Sequence, residues 1–146
     1  VILAAAVAPD LDLLLRFVDG RNHHQAASHS LGAALIVGVL VCLAAVGRGW
    51  RTASSLGLGA ALGWTTHVAL DYLGRDTNPP IGVMALWPLS PAYLKFPWPV
   101  FLDVGRTLTW VTVGHNAVAV AWEVTLLAPL AFVAWRWRRP SLPRAD

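Results

Sequence analysis

The sequence predicts an all-α, polytopic transmembrane helix bundle with a long Trp/Pro-rich interfacial loop, and three observations predict it. Hydrophobic residues make up 56% of the 146 and charged residues only 13%, against about 25% charged in an ordinary soluble domain. Uncharged apolar runs recur along the chain, separated by short polar or basic turns. The eight tryptophans suit a membrane boundary, where indole rings settle. At this length the expectation is one membrane-embedded domain over residues 1–146.

The first apolar run, Val1 to Ala8, covers about 12 Å of helix, far short of the roughly 30 Å bilayer core. It is read as the end of a longer, truncated helix, without the basic flank and cleavage site of a signal peptide. Pro9-Asp10-Leu11-Asp12 stops it, and a polar loop follows through His23-His24 to Ser28-His29-Ser30. Leu31 to Gly47 is uncharged and about long enough to span with its flanks, with Ser28 as a candidate N-cap. A basic turn, Arg48-Gly49-Trp50-Arg51, leads to a second span over Ala53 to Leu73. There Gly59 and Gly63 have the spacing that lets helix backbones approach closely.

Residues 76–115 form a proline-rich connection, expected to lie on the membrane as a lid or wall, with room for a short amphipathic helix over Val100 to Gly114. A last span, Ala117 to Trp135, carries Glu123 and Pro129 and ends in a basic tail, residues 136–146. The net charge of +3 comes from scattered residues and this tail. A membrane anchor explains the tail, and no nucleic-acid partner is expected. The lone cysteine, Cys42, excludes an intrachain disulfide.

Threading the spans alternately brings Asp10, Asp12, His23, His24, His29, His67, Asp71 and His115 to one face. Six basic residues then lie on the tail side (Arg48, Arg51, Arg136, Arg138, Arg139, Arg144) and five on the other (Arg16, Arg21, Arg75, Lys95, Arg106). By the positive-inside rule the tail is cytoplasmic and the site faces outward across a multi-pass inner membrane.

His67 and Asp71 stand four apart on a helix, so both side chains reach one ion. Imidazole with carboxylate and no thiolate suits zinc, with manganese or iron as alternatives. Taken singly, each residue has a plainer reading: Asp71 ending its helix, Asp10 and Asp12 as turn residues after a proline, His29 as an interfacial histidine. Taken together, ionisable groups crowded at membrane depth point to function. Asp10, Asp12, His24, His29, His67 and Asp71 are the proposed metal ligands, His115 a possible addition. Asp12 and His29 are the proposed catalytic groups, and Arg16, Arg21, Ser30 and Arg75 the proposed substrate contacts, the arginines holding anionic oxygens. The chemistry expected is metal-assisted hydrolysis of a phosphoester or lipid-linked ester, with membrane lipid as the natural partner. The rivals are a metal-ion or proton transporter, which would carry polar groups through the membrane depth, and a non-catalytic scaffold that keeps a structural metal.

At Pro9-Asp10-Leu11-Asp12, His24-Gln25-Ala26-Ala27-Ser28-His29-Ser30 and His67-Val68-Ala69-Leu70-Asp71 the chain resembles the LexA-regulated, membrane-bound metal-dependent hydrolases. Those show a PDxD element, an HRGxTHS-like element and a helical HxxxD in this order, and Gly82 through Trp87-Pro88-Leu89 looks like their Gly-then-Pro segment. The resemblance implies a bacterial or archaeal inner-membrane hydrolase with Asp10, Asp12, His24, His29, His67 and Asp71 at the matching positions. A more distant similarity to zinc-dependent phospholipase C and P1 nuclease-like enzymes implies a multinuclear zinc site. Gln25 and Ala26 depart from the pattern, where the family has Arg and Gly.

Overall fold

A computed structural model describes residues 1–105 and 107–137. Arg106 and the basic tail beyond Trp137, including Arg138, Arg139 and Arg144, lie outside the described residues. The chain falls into two compact units, Val1–Val100 and Phe101–Asp146. Among the described residues all regular structure is helical.

In the first unit α1 (Ile2–Val7) runs into a 3₁₀ segment, Ala8–Leu15, and then α2 (Arg16–Asp19). Pro9 falls in the first turn of the 3₁₀ segment, where its fixed φ fits and its missing N–H costs nothing. The polar stretch read as loop is thus partly helical. Helix α3 (Leu31–Ala44) is capped by Ser30, not Ser28: the Ser30 hydroxyl accepts from Ala33 N at 2.9 Å. A short 3₁₀ turn, Val46–Arg48, leads to α4 (Trp50–Leu73).

The core is built from close approach rather than large side chains. Ala34 and Gly38 on α3, and Ala53, Gly57, Ala60 and Gly63 on α4, are buried. A Cβ on Gly57 would stand 2.6 Å from Gly38 O and 2.7 Å from Cys42 Cβ, and one on Gly63 would stand 2.5 Å from Ile2 O. The Gly59/Gly63 spacing therefore admits α1, while Gly57 admits α3. Beyond α4 the chain is irregular. Val83 and Leu94 pair antiparallel, Asp76 takes the N–H groups of Asn78 and Gly82 on its two oxygens, and Gly82 sits at φ +98° against Leu94 O. This segment is tied to the residues before α3: Met84 N donates to Gln25 O and Leu31 N to Ala85 O, both at 3.0 Å.

In the second unit α5 (Trp110–Trp137) begins earlier than the expected span at Ala117. Thr109 Oγ1 accepts from Thr112 N in an N-cap arrangement. Asn116 holds both polar groups of the Gly105 backbone, at 2.8 and 2.9 Å.

The polytopic bundle is overturned. Among the described residues one helix, α5, is long and apolar enough to cross a membrane. Helix α3 has 14 residues, about 21 Å, too short for the hydrocarbon core. Helix α4 has the length, 24 residues, but carries Arg51, Thr52, Ser54, Ser55, Thr65, Thr66, His67 and Asp71, which dilute its apolar character. The outward-facing orientation built on alternate threading loses its basis, and the His/Asp residues of the first unit meet through its tertiary packing instead.

The α3–α4 crossing sets a packing test. Gly57→Val in the full chain is expected to destabilise by about 1–3 kcal/mol from overpacking, read as a lowered thermal midpoint in detergent. Gly47→Ala, whose Cβ meets nothing within 4 Å, is expected to leave it unchanged. Equal midpoints for Gly57→Val and the wild type would contradict the packing described.

Candidate metal centre

Three segments bring the site together: the 3₁₀ segment after α1, the turn leading into α3, and the C-terminal half of α4. His29 is fully buried at their junction. Its Nδ1 faces Asp12 Oδ2 at 3.1 Å. Its Nε2 faces His67 Nε2 at 3.2 Å, Asp71 Oδ2 at 3.2 Å and Asp10 Oδ1 at 3.5 Å. His67 repeats the arrangement: Nδ1 donates to Ala6 O at 2.8 Å, and Nε2 lies 3.2 Å from Asp71 Oδ2 and 3.4 Å from Asp10 Oδ1.

The acceptors behind the two rings fix their tautomers. With Nδ1–H committed to Asp12 or to the Ala6 carbonyl, each neutral imidazole turns the lone pair of Nε2 inward. Two nitrogen lone pairs and the Asp71 Oδ2 then converge on one point, with Asp10 Oδ1 to one side, which is electrostatically unfavourable without a cation. Asp71 Oδ2 shows the deficit. The atom is buried and has no hydrogen-bond partner among the described residues, although both Nε2 atoms lie 3.2 Å away.

The distances suit a metal. Ligands at 2.0–2.1 Å around tetrahedral zinc stand roughly 3.3–3.4 Å apart. His29 Nε2, His67 Nε2 and Asp71 Oδ2 form a triangle with every side 3.2 Å, and Asp10 Oδ1 stands 3.4 and 3.5 Å from the two nitrogens. Among the described residues two groups could hold a metal ion: His29 with His67 and Asp71, and Asp10 with His24 and His29. The donor set is the nitrogen and oxygen mixture that zinc, manganese and iron accept.

Without a metal, protons take the cation's place. Asp10 is held well below the usual carboxylate range by the His29 ring and then by His67. Burial would raise Asp12, but hydrogen bonds from His24, His29 and Ser28 prevail and hold it low. Burial likewise opposes charge on His29, yet Asp10, Asp12 and Asp71 raise it above the ordinary histidine value. The same contest at His67, with Asp10 and Asp71 opposing burial, ends at about 10.

The remaining sequence candidates fall in different places. Asp12 points at the back of His29 and also meets His24 Nδ1 at 3.0 Å and the Ser28 hydroxyl. His24 lies 3.8 Å from Asp10 Oδ1. Ser30, expected at the substrate, is fully buried, and its hydroxyl is used by the α3 cap and Ala27 O. Arg16, Arg21 and Arg75 are exposed and make no ion pair with the cluster. His115 belongs to the second unit, where Nε2 meets Asp103 O at 2.8 Å. His23 pairs with Asp19 at 2.6 Å.

Three contributors escape sequence reasoning. The Ala6 carbonyl leaves no side-chain signal at all. Ser28, read as a cap, holds Asp12. Trp64, whose indole N–H donates to Ser28 O at 2.7 Å, stands three residues before His67 on the same helix face, and that spacing is a usable signal.

Fold and site together define a protein that is helical over its described residues, with one helix among them fit to cross a membrane and, in its first unit, a carboxylate–histidine centre able to hold a metal ion. The chain matches the YdjM inner membrane protein family over residues 1–140 and belongs to it. No curated protein and no solved structure matches the chain.

The raised His67 gives a pH test on metal-free protein. A histidine raised on folding adds stability that is fully present below its unfolded value near 6.5 and is lost as the pH climbs through about 10. Chelator-treated protein is expected to lose thermal stability across that window, and His67→Asn to flatten the dependence. An unchanged slope in the variant would contradict the assignment.

Proposed function

We propose that this protein is a membrane-bound, metal-dependent hydrolase of a phosphoester or lipid-linked ester. The observation that carries the reading is the convergence of His29 Nε2, His67 Nε2 and Asp71 Oδ2 at 3.2 Å from one another, with Asp10 on the open side. Support also comes from the ordered PDxD, HxxxxHS and HxxxD elements, which resemble those of metal-dependent membrane hydrolases.

His29, His67 and Asp71 would hold the ion, zinc by preference, as a three-ligand set that leaves a position open, the pattern of catalytic rather than structural sites. A divalent ion there would supply Lewis acidity towards the ester and the attacking water. Asp10 has the most exposed side chain of the six proposed ligands, 47% against 26% for Asp71. It would lie beside the open position as an ionised carboxylate and take the proton of the attacking water as the water oxygen bonds to phosphorus, then return it to the alkoxide that leaves when the ester P–O bond breaks. Asp12 is a positioning residue: it fixes the His29 ring through Nδ1 and is itself held by His24 and Ser28. Arg16 and Arg21, exposed on the stretch after Asp10, are the guanidinium groups available to anionic oxygens. The natural substrate is a phosphate-containing lipid or lipid-linked ester.

The test separates binding from turnover. Purified full chain is assayed on bis(p-nitrophenyl) phosphate and on phospholipid vesicles, with metal content measured on the same samples. Asp10→Asn is expected to keep the metal and lose about 10²–10⁴-fold in turnover, the usual worth of a general base. Asp12→Asn is expected to weaken metal affinity by about 10–100-fold, and His67→Ala to lose the metal. Hydrolysis that survives chelation, or Asp10→Asn turning over at the wild-type rate, would overturn the reading.

A further inference from the structure

The 3₁₀ segment that delivers Asp10 and Asp12 has a second face. With about three residues per turn, positions three apart share an edge. Pro9 and Asp12 are buried on the inner edge. Beyond them the chain is exposed: Leu11 and Leu14 on the 3₁₀ segment are 61 and 58% exposed, and Phe17 and Val18 on α2 are 87 and 84% exposed. Arg16 and Arg21 lie exposed among and beside these apolar side chains. The one exposed acid of residues 11–21, Asp19, is already engaged by the His23 ring and the Arg21 backbone N–H.

Large apolar side chains interleaved with arginines are the composition of segments that lie in a membrane interface. Helix α3 also exposes leucines, but it has no charged side chain with which to seek a headgroup. We infer that the outer face of residues 11–21 docks the first unit on an anionic phospholipid surface, with Leu11, Leu14, Phe17 and Val18 among the acyl chains and Arg16 and Arg21 at the headgroup phosphates. Family membership in an inner-membrane group puts such a surface within reach, and the arginines supply the charge complementarity. Asp10, which immediately precedes this face, then stands at headgroup level. The docking is independent of ester hydrolysis and needs neither metal nor turnover, so its failure is separable from failure of the catalytic reading.

The test uses the full chain in a Cys42→Ser background, with Phe17→Cys or, in parallel, Leu14→Cys carrying an environment-sensitive fluorophore. The protein is reconstituted into phosphatidylglycerol/phosphatidylethanolamine vesicles and probed with lipid-borne nitroxide and with aqueous iodide. Both labels are expected to be quenched by nitroxide and shielded from iodide. Arg16→Glu combined with Arg21→Glu is expected to cut the nitroxide quenching about twofold or more, since the headgroup attraction reverses sign. Free access of iodide to both labels would overturn the inference. So would shielding from both quenchers together with disulfide crosslinking between unlabelled Phe17→Cys chains, which would assign the face to a second copy. Nitroxide quenching untouched by charge reversal would refute recognition of anionic headgroups.

Discussion

The first unit depends on one buried imidazole. A polar ring taken fully out of water is costly unless its nitrogens find partners, and the partners of His29 come from three separate stretches: Asp10 and Asp12 after α1, Ser28 from its own turn, His67 and Asp71 on α4. Satisfying that ring therefore fixes the position of the segment after α1 against α4 and of the turn that starts α3. Small residues make the approach possible, since any side chain larger than hydrogen at Gly57 or Gly63 would strike the backbone of the neighbouring helix.

The chemistry of the centre follows from what stands behind each ring. Asp12 and the Ala6 carbonyl occupy Nδ1 of His29 and His67, so both Nε2 atoms turn inward, and Asp71 adds an oxygen that no hydrogen bond among the described residues satisfies. Three carboxylates against two inward-facing imidazoles leave a deficit of positive charge. Raised histidines supply it in the metal-free state, and a divalent cation supplies it with better geometry. The same imbalance thus explains the raised histidines of the cluster and its fitness for a metal.

Residue types and spacing carried much of this into the sequence. An HxxxD on a helix must place its two side chains together, and ligand-type residues stand out in a chain with so few charges. Roles were less legible: whether Asp12 faces an ion or the back of a histidine depends on a ring tautomer, and that depends on a backbone carbonyl at Ala6. Ser30 could not be told from Ser28 as the cap, because either can precede Leu31. The membrane topology was misread for a different physical reason. Hydropathy reports removal from water and does not distinguish lipid from protein, so α4, which buries alanine and glycine against α1 and α3, resembles a span in composition. The 3₁₀ segment was hidden because its period of three matches neither of the two periods sought in a sequence.

The most direct test of the account is zinc K-edge X-ray absorption on full-length, detergent-purified protein loaded with zinc and freed of excess metal, beside a His29→Ala/His67→Ala variant shown to remain folded. The account predicts about one or more tightly held zinc ions with only nitrogen and oxygen neighbours at roughly 2.0–2.1 Å and imidazole scattering that disappears in the variant. Failure to retain zinc, or an absorption spectrum identical in the variant, would contradict it.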